Sequence, residues 1–107
     1  MIQDLKYYEQ AQGETRYHVF DFSRDIITGA TLLSATAVLT NPSGSAVSPA
    51  PTATIDAALG YAYVLVTGAT HLASLGTYTL RCDAVADNLG SLSNETLSAS
   101  RVIRVNM

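Results

Sequence analysis

Apolar and polar side chains alternate along this chain with a period of two, and no stretch sustains the 3.6-residue period of an amphipathic helix. About seven segments carry the alternation: 4–10, 14–23, 33–40, 52–58, 61–67, 76–86 and 95–106. β-branched and aromatic residues fill them, as pleated and half-buried strands prefer. Turn-forming residues separate them, at Gln12-Gly13, Asn41-Pro42-Ser43-Gly44, Leu59-Gly60 and the stretch 87–93 with Asn88 and Gly90. Turn signals about every ten residues are the mark of a sandwich or small barrel. The pattern predicts an all-β sandwich of about seven antiparallel strands. With 107 residues the chain makes one domain, 1–107, which can bury roughly two-thirds of its unfolded surface.

The alternation also predicts which side chains face inward. Leu33, Ala35, Ala37 and Leu39 form one clean apolar face, and Ala53, Ile55 and Ala57 another. Ala62, Val64 and Val66 alternate against Tyr61, Tyr63 and Leu65, so 52–58 and 61–67 read as a hairpin. Tyr78, Leu80, Cys82 and Ala84 share a face, as do Leu97, Ala99, Ile103 and Val105, whose run Arg101 interrupts. Segment 14–23 is apolar on both sides, Phe20 and Phe22 against Tyr17 and Val19, and leaves its inward face open. Residues 24–31 are a connection with a possible short edge strand at 25–28, 45–51 a surface loop, and 68–75 a further connection.

Composition narrows the function. Net charge is −3 and the six Lys and Arg are dispersed, so no basic patch exists to neutralise phosphates and nucleic-acid binding is not expected. No segment has the apolar length of a membrane span, and MIQDLKYYEQ lacks the apolar core of a signal peptide. Synthesis in a cytoplasm is expected. A chain that begins with Met and ends in the strand-like VIRVNM reads as a complete small gene product. Only 14% of residues are charged, which leaves little to oppose association. This fits an exterior covered in an assembly and an uncharged soluble surface equally.

Cys82 is the single cysteine, placed on a strand as a small buried group, with Arg81 turned to the opposite face. His18 and His71 have no Cys or second His at ligand spacing. His18 is expected on a strand near a sheet edge and His71 in a loop. Asp21-Phe22-Ser23-Arg24-Asp25 opens like a calcium loop, but Ile26 stands where Gly is required and Leu32 where a bidentate Glu is required. Asp83, Asp87 and Glu95 flank the last hairpin, and solvated carboxylates at strand ends describe them better than a weak cation site. The string Thr67-Gly68-Ala69-Thr70 lacks the lysine of a phosphate loop, and no serine sits in a nucleophile elbow. Asn94-Glu95-Thr96 matches the glycosylation acceptor but has no export context. Tyr7, Tyr8, Tyr61 and Tyr63 suit either interface or strand positions. No catalytic, metal-binding or cofactor-binding residue is expected, no cofactor, and no enzymatic activity; the binding residues stay unassigned.

Leu72-Ala-Ser-Leu-Gly76-Thr-Tyr78-Thr-Leu-Arg-Cys82 looks like the strand-F region of immunoglobulin domains, and implies that Tyr78 closes a tyrosine corner. Cys82 is not two residues after it, and a partner cysteine and Trp are missing, so the chain departs from the antibody type. Gln12-Gly13-Glu14-Thr15, Phe20-Asp21-Phe22-Ser23, Thr28-Gly29-Ala30-Thr31-Leu32 and Ala35-Thr36-Ala37-Val38 with Pro42-Ser43-Gly44 resemble immunoglobulin-like virion proteins of tailed bacteriophages. That resemblance implies a non-enzymatic auxiliary capsid, neck, baseplate or tail component of the virion. Its partners would be other virion proteins and copies of itself. A carbohydrate- or surface-binding adhesion module is the alternative, and would show co-planar exposed tyrosines in a groove. A hydrolase would need Ser and Asp converging on His18 or His71.

Overall fold

The computed structural model describes residues 2–26, 29–87 and 93–106, with side chains from Tyr8 onward. Within them run β1 (Ile2–Ala11), β2 (Thr15–Asp21), β3 (Thr31–Thr40), β4 (Thr52–Asp56), β5 (Tyr61–Thr67), a one-turn helix α1 (Gly68–His71), β6 (Gly76–Asp87) and β7 (Glu95–Asn106). One sheet has the order β1-β7-β6-β3 and the other β2-β5-β4. The pairing of β3, β6 and β7 against β2, β5 and β4 is that of an immunoglobulin-like sandwich.

Alternation within each strand decides the core. Ala62, Val64 and Val66 of β5 and Tyr78, Leu80, Cys82, Ala84 and Ala86 of β6 point inward. Ala99, Ile103 and Val105 of β7 meet them, with Phe20 and Phe22 from the β2 end. Ala53 and Ile55 of β4 pack against this cluster, whereas Ala57 lies beyond the strand and is exposed. β2 thus resolves its ambiguity by burying Phe20 and leaving Tyr17 and Val19 outside.

Besides Ala57, three features of the strands depart from the sequence reading. Leu33 is 50% exposed and Leu32 is buried. A register shift between Leu32 and Ser34 against β6 turns the strand, so the inward face runs Leu32, Ala35, Ala37, Leu39. The pairing of β1 with β7 is parallel, from Ile2↔Ala99 to Ala11↔Asn106, unlike every other strand pair described. Side-chain alternation is blind to strand direction, and this pair joins the two ends of the chain. Third, Ser23 to Asp25 form a turn and Ile26 a bend, not the start of an edge strand. The rest of that segment, like the middle of the 87–93 turn, lies outside the described residues.

The β5–β6 crossover is fixed at two points. The Tyr78 hydroxyl donates to the Ser74 carbonyl at 2.9 Å and accepts from the Ser74 N–H at 3.1 Å, which is a tyrosine corner on a fully buried ring. Gly68 sits so close to the β1–β2 turn that a Cβ there would lie 2.0 Å from the Gln12 carbonyl oxygen. Its N–H donates to the Glu14 carbonyl at 2.7 Å.

Candidate functional site

β1 and β2 are consecutive but belong to different sheets. The turn joining them closes with the Glu14 N–H on the Ala11 carbonyl and the Ala11 N–H on the Glu14 carboxylate. Beyond that turn the two strands are edges of opposing layers, and polar side chains at inward-facing positions fill the seam between them. Gln10 is 1% exposed and its Nε2 donates to the carbonyls of Glu14 and Val66, each at 2.9 Å. Its Oε1 is therefore the acceptor for His18, whose Nε2 lies 3.0 Å away and carries the proton. Burial pushes the His18 pKa down to about 4, helped by the positive charges of Arg101 and Arg16, so the ring is neutral.

Arg101 occupies an inward position on β7 and is 7% exposed. Its guanidinium lies 4.4 Å from the Tyr8 ring centroid and 4.3 Å from that of Phe20, between two aromatic faces. Its Nη2 donates to the Val19 carbonyl at 2.6 Å. The Tyr8 ring meets His18 edge-on at 5.9 Å. Arg16 reaches the other way across the seam and donates from Nη1 to the Glu9 carbonyl at 3.0 Å. A cavity of about 220 Å³ opens here, lined by Tyr8, Arg16, Tyr17, His18, Val19 and Arg101. Two guanidiniums and no described carboxylate line it.

On the solvent side of β2-β5-β4, cross-strand rows follow the register: Tyr17–Leu65–Thr52, Val19–Tyr63–Thr54 and Asp21–Tyr61–Asp56. The centre of this face is apolar and uncharged, and its only carboxylates stand in the last row. Tyr17 is 64% exposed and Val19 41%. Tyr61 and Tyr63 meet edge to face at 82° and offer no planar platform for a sugar ring.

Apart from Tyr8, the other groups singled out in the sequence lie away from the seam. Cys82 is buried, its thiol pushed up to about 11 by burial and by Asp83, while Arg81 faces solvent and pairs with Asp83 at 3.1 Å. Asp83 also accepts from Ser98. Among the described residues no three His, Cys, Asp or Glu side chains gather to hold a metal ion. Asp21 accepts from the Ser23 N–H at 2.8 Å, and the Ser23 side chain together with that N–H holds its carboxyl below the ordinary range. His71 is buried in α1, not in an open loop, and its Nδ1 accepts from the Thr67 N–H at 2.9 Å, so its proton is on Nε2. Neither histidine has a described bond to Ser or Asp. Tyr8 is half-buried in the seam, and the Tyr7 side chain lies outside the described residues. Sequence reasoning passed over Gln10 and treated Arg101 as an interruption. The available signal was a polar residue at the inward phase of three separate strands, Gln10, His18 and Arg101. No described helix is long and apolar enough to cross a membrane.

No protein-family model matches this chain, and no curated protein matches it.

Proposed function

We propose that this domain is a non-enzymatic structural component of a tailed-phage virion, an auxiliary capsid, neck or tail protein that works through protein–protein contacts. The observation that carries the reading is the outer face of β2-β5-β4, whose centre is uncharged: exposed Tyr17 and Val19 and half-buried Leu65 and Tyr63 are neighbours in register there. Exposed aromatic and branched side chains in one contiguous patch mark an interaction surface. The face is small. Three strands about 4.8 Å apart, with a rise of about 3.3 Å per residue, span a few hundred Å², below the roughly 800 Å² per partner of a stable pairwise interface. A contact of that size is weak alone and becomes firm when repeated on a symmetric particle. The resemblance to virion domains in the β2, β3 and connecting segments supports the same reading, with partners that include other virion proteins and copies of this chain.

The test is the composition of particles purified from a lysate of a host carrying the gene. The domain is expected to co-sediment with particles at a fixed stoichiometry and to remain after a salt wash. Recovery only in the soluble fraction would overturn the proposal.

A further inference from the structure

The first strand of an immunoglobulin sandwich ordinarily adds to the sheet of β2. Here β1 lies beside β7 instead, and β2 ends its sheet. The ladder shows what that leaves open. The bonds from Gly68 N–H to Glu14 carbonyl and from Phe22 N–H to Gly60 carbonyl place the even-numbered residues of β2 toward β5. Thr15, Tyr17, Val19 and Asp21 therefore turn their N–H and C=O groups away from the sheet. All four are exposed. The guanidinium of Arg101 sits on one of these groups, the Val19 carbonyl, where a neighbouring strand would put its own donor.

The opposite side of the sandwich differs. The outer edge of β3 is engaged by Val47 N–H on the Leu39 carbonyl and by Leu32 N–H on the Ala57 carbonyl, and Ala37 beside it is 7% exposed. Of these two edges, β2 is the accessible one. Its seven residues include no Pro and its pairing to β5 has no bulge, two devices that otherwise blunt an edge.

The flanks of the β2 edge indicate what fits it. On one flank is the apolar outer face beginning with Tyr17 and Val19, joined by Tyr63 and Thr54 around a depression. On the other is the seam cavity with Arg16 and Arg101. A strand laid along β2 sends alternate side chains to these two flanks. We infer that the β2 edge accepts an extended segment of a partner protein, with carboxylate side chains on the seam side and branched or aromatic ones on the outer side. Main-chain bonds to Tyr17 and to the Val19 N–H supply affinity, and the two arginines select for acidic residues. A second copy of β2 fits less well, because antiparallel self-pairing brings Arg16 and Arg101 of both copies together. This inference rests on the contact role proposed above and names the partner chemistry at one edge of that surface.

The test uses the full chain, isotopically labelled, and two short synthetic peptides. One alternates aspartate with valine and threonine; the other has lysine in place of aspartate. With the acidic peptide at millimolar concentration, amide exchange at Tyr17 and Val19 is expected to slow by about tenfold or more. The lysine peptide should give no such protection. Val19→Pro, tolerable on an edge strand, removes one outward N–H and should weaken binding by about tenfold. Arg16→Glu, at an exposed position, should do the same without altering the fold. No protection at Tyr17 and Val19 overturns the inference, as does equal binding of the lysine peptide. Protection that grows with protein concentration alone assigns the edge to a second copy and also overturns it. If both variants still join particles, the edge inference fails while the virion reading stands; if the unaltered chain joins none, the virion reading fails.

Discussion

Tyr78→Phe isolates the tyrosine corner. The substitution keeps the buried ring and removes one oxygen, which donates to the Ser74 carbonyl and accepts from the Ser74 N–H. Two backbone groups lose their partner at the β5–β6 crossover. Each such loss costs about 1 kcal/mol where water replaces the partner and up to about 3 kcal/mol where it cannot. Ser74 is exposed, so water restores part of the bonding, and a total of about 1–3 kcal/mol is expected. With an unfolding entropy of about 2.1 cal/mol/K per residue, a chain of 107 residues loses about 4–5 °C of Tm per kcal/mol. The expected drop is therefore about 4–13 °C. Differential scanning calorimetry measures it, and a urea titration with unchanged slope shows that only stability moved. Tyr17→Phe, on a side chain 64% exposed, is the control and should stay within about 0.5 kcal/mol of the parent. A Tyr78→Phe loss no larger than the control would refute the corner as a stabilising contact.

Acid tests the seam. His18 has a folded pKa of about 4 against an ordinary 6.5, so between those values the unfolded chain takes up a proton that the folded chain refuses. Stability is full above pH 6.5 and falls as pH drops toward 4, by about 1–3 kcal/mol after allowance for solvent screening. His18→Gln should flatten that limb in denaturant titrations at stepped pH, and an unchanged slope would count against a neutral buried His18. Gly68→Ala places a methyl against the Gln12 carbonyl; a destabilisation of about 1–3 kcal/mol, or loss of soluble protein, is expected, and a parent-like melt would contradict the close approach. Cys82 should resist a disulfide thiol reagent in the native protein and react fully in denaturant, because the thiol is buried and its pKa is raised to about 11; rapid native reaction would show that β6 opens.

The strands were legible because burial on one face imposes alternation. Ala62, Val64 and Val66, or Tyr78, Leu80, Cys82 and Ala84, can be read inward from order alone, and they are. The Phe20 face of β2 became readable only in three dimensions, since Tyr17 and Val19 are apolar for a different reason, their place on the open outer face. Leu33 has the inward phase in the sequence yet faces solvent, because one irregularity in pairing inverts every side chain on one side of it. α1 is too short for periodicity to reveal. The seam was least legible: Gln10, His18 and Arg101 come from three strands, and Arg101 bonds Val19 across 82 positions of chain. Such a cluster leaves only isolated polar residues at inward phase, each of which reads locally as a flaw in the pattern.

Site-specific photo-crosslinking in assembled particles tests the interaction surface most directly. A photoreactive side chain at position 17 samples the β2 edge and the outer face of β2-β5-β4, while one at position 79, exposed on β6, samples the opposite sheet. Position 17 is expected to capture another virion protein and position 79 to capture little. Particles that contain the domain yet crosslink only through position 79 would contradict it.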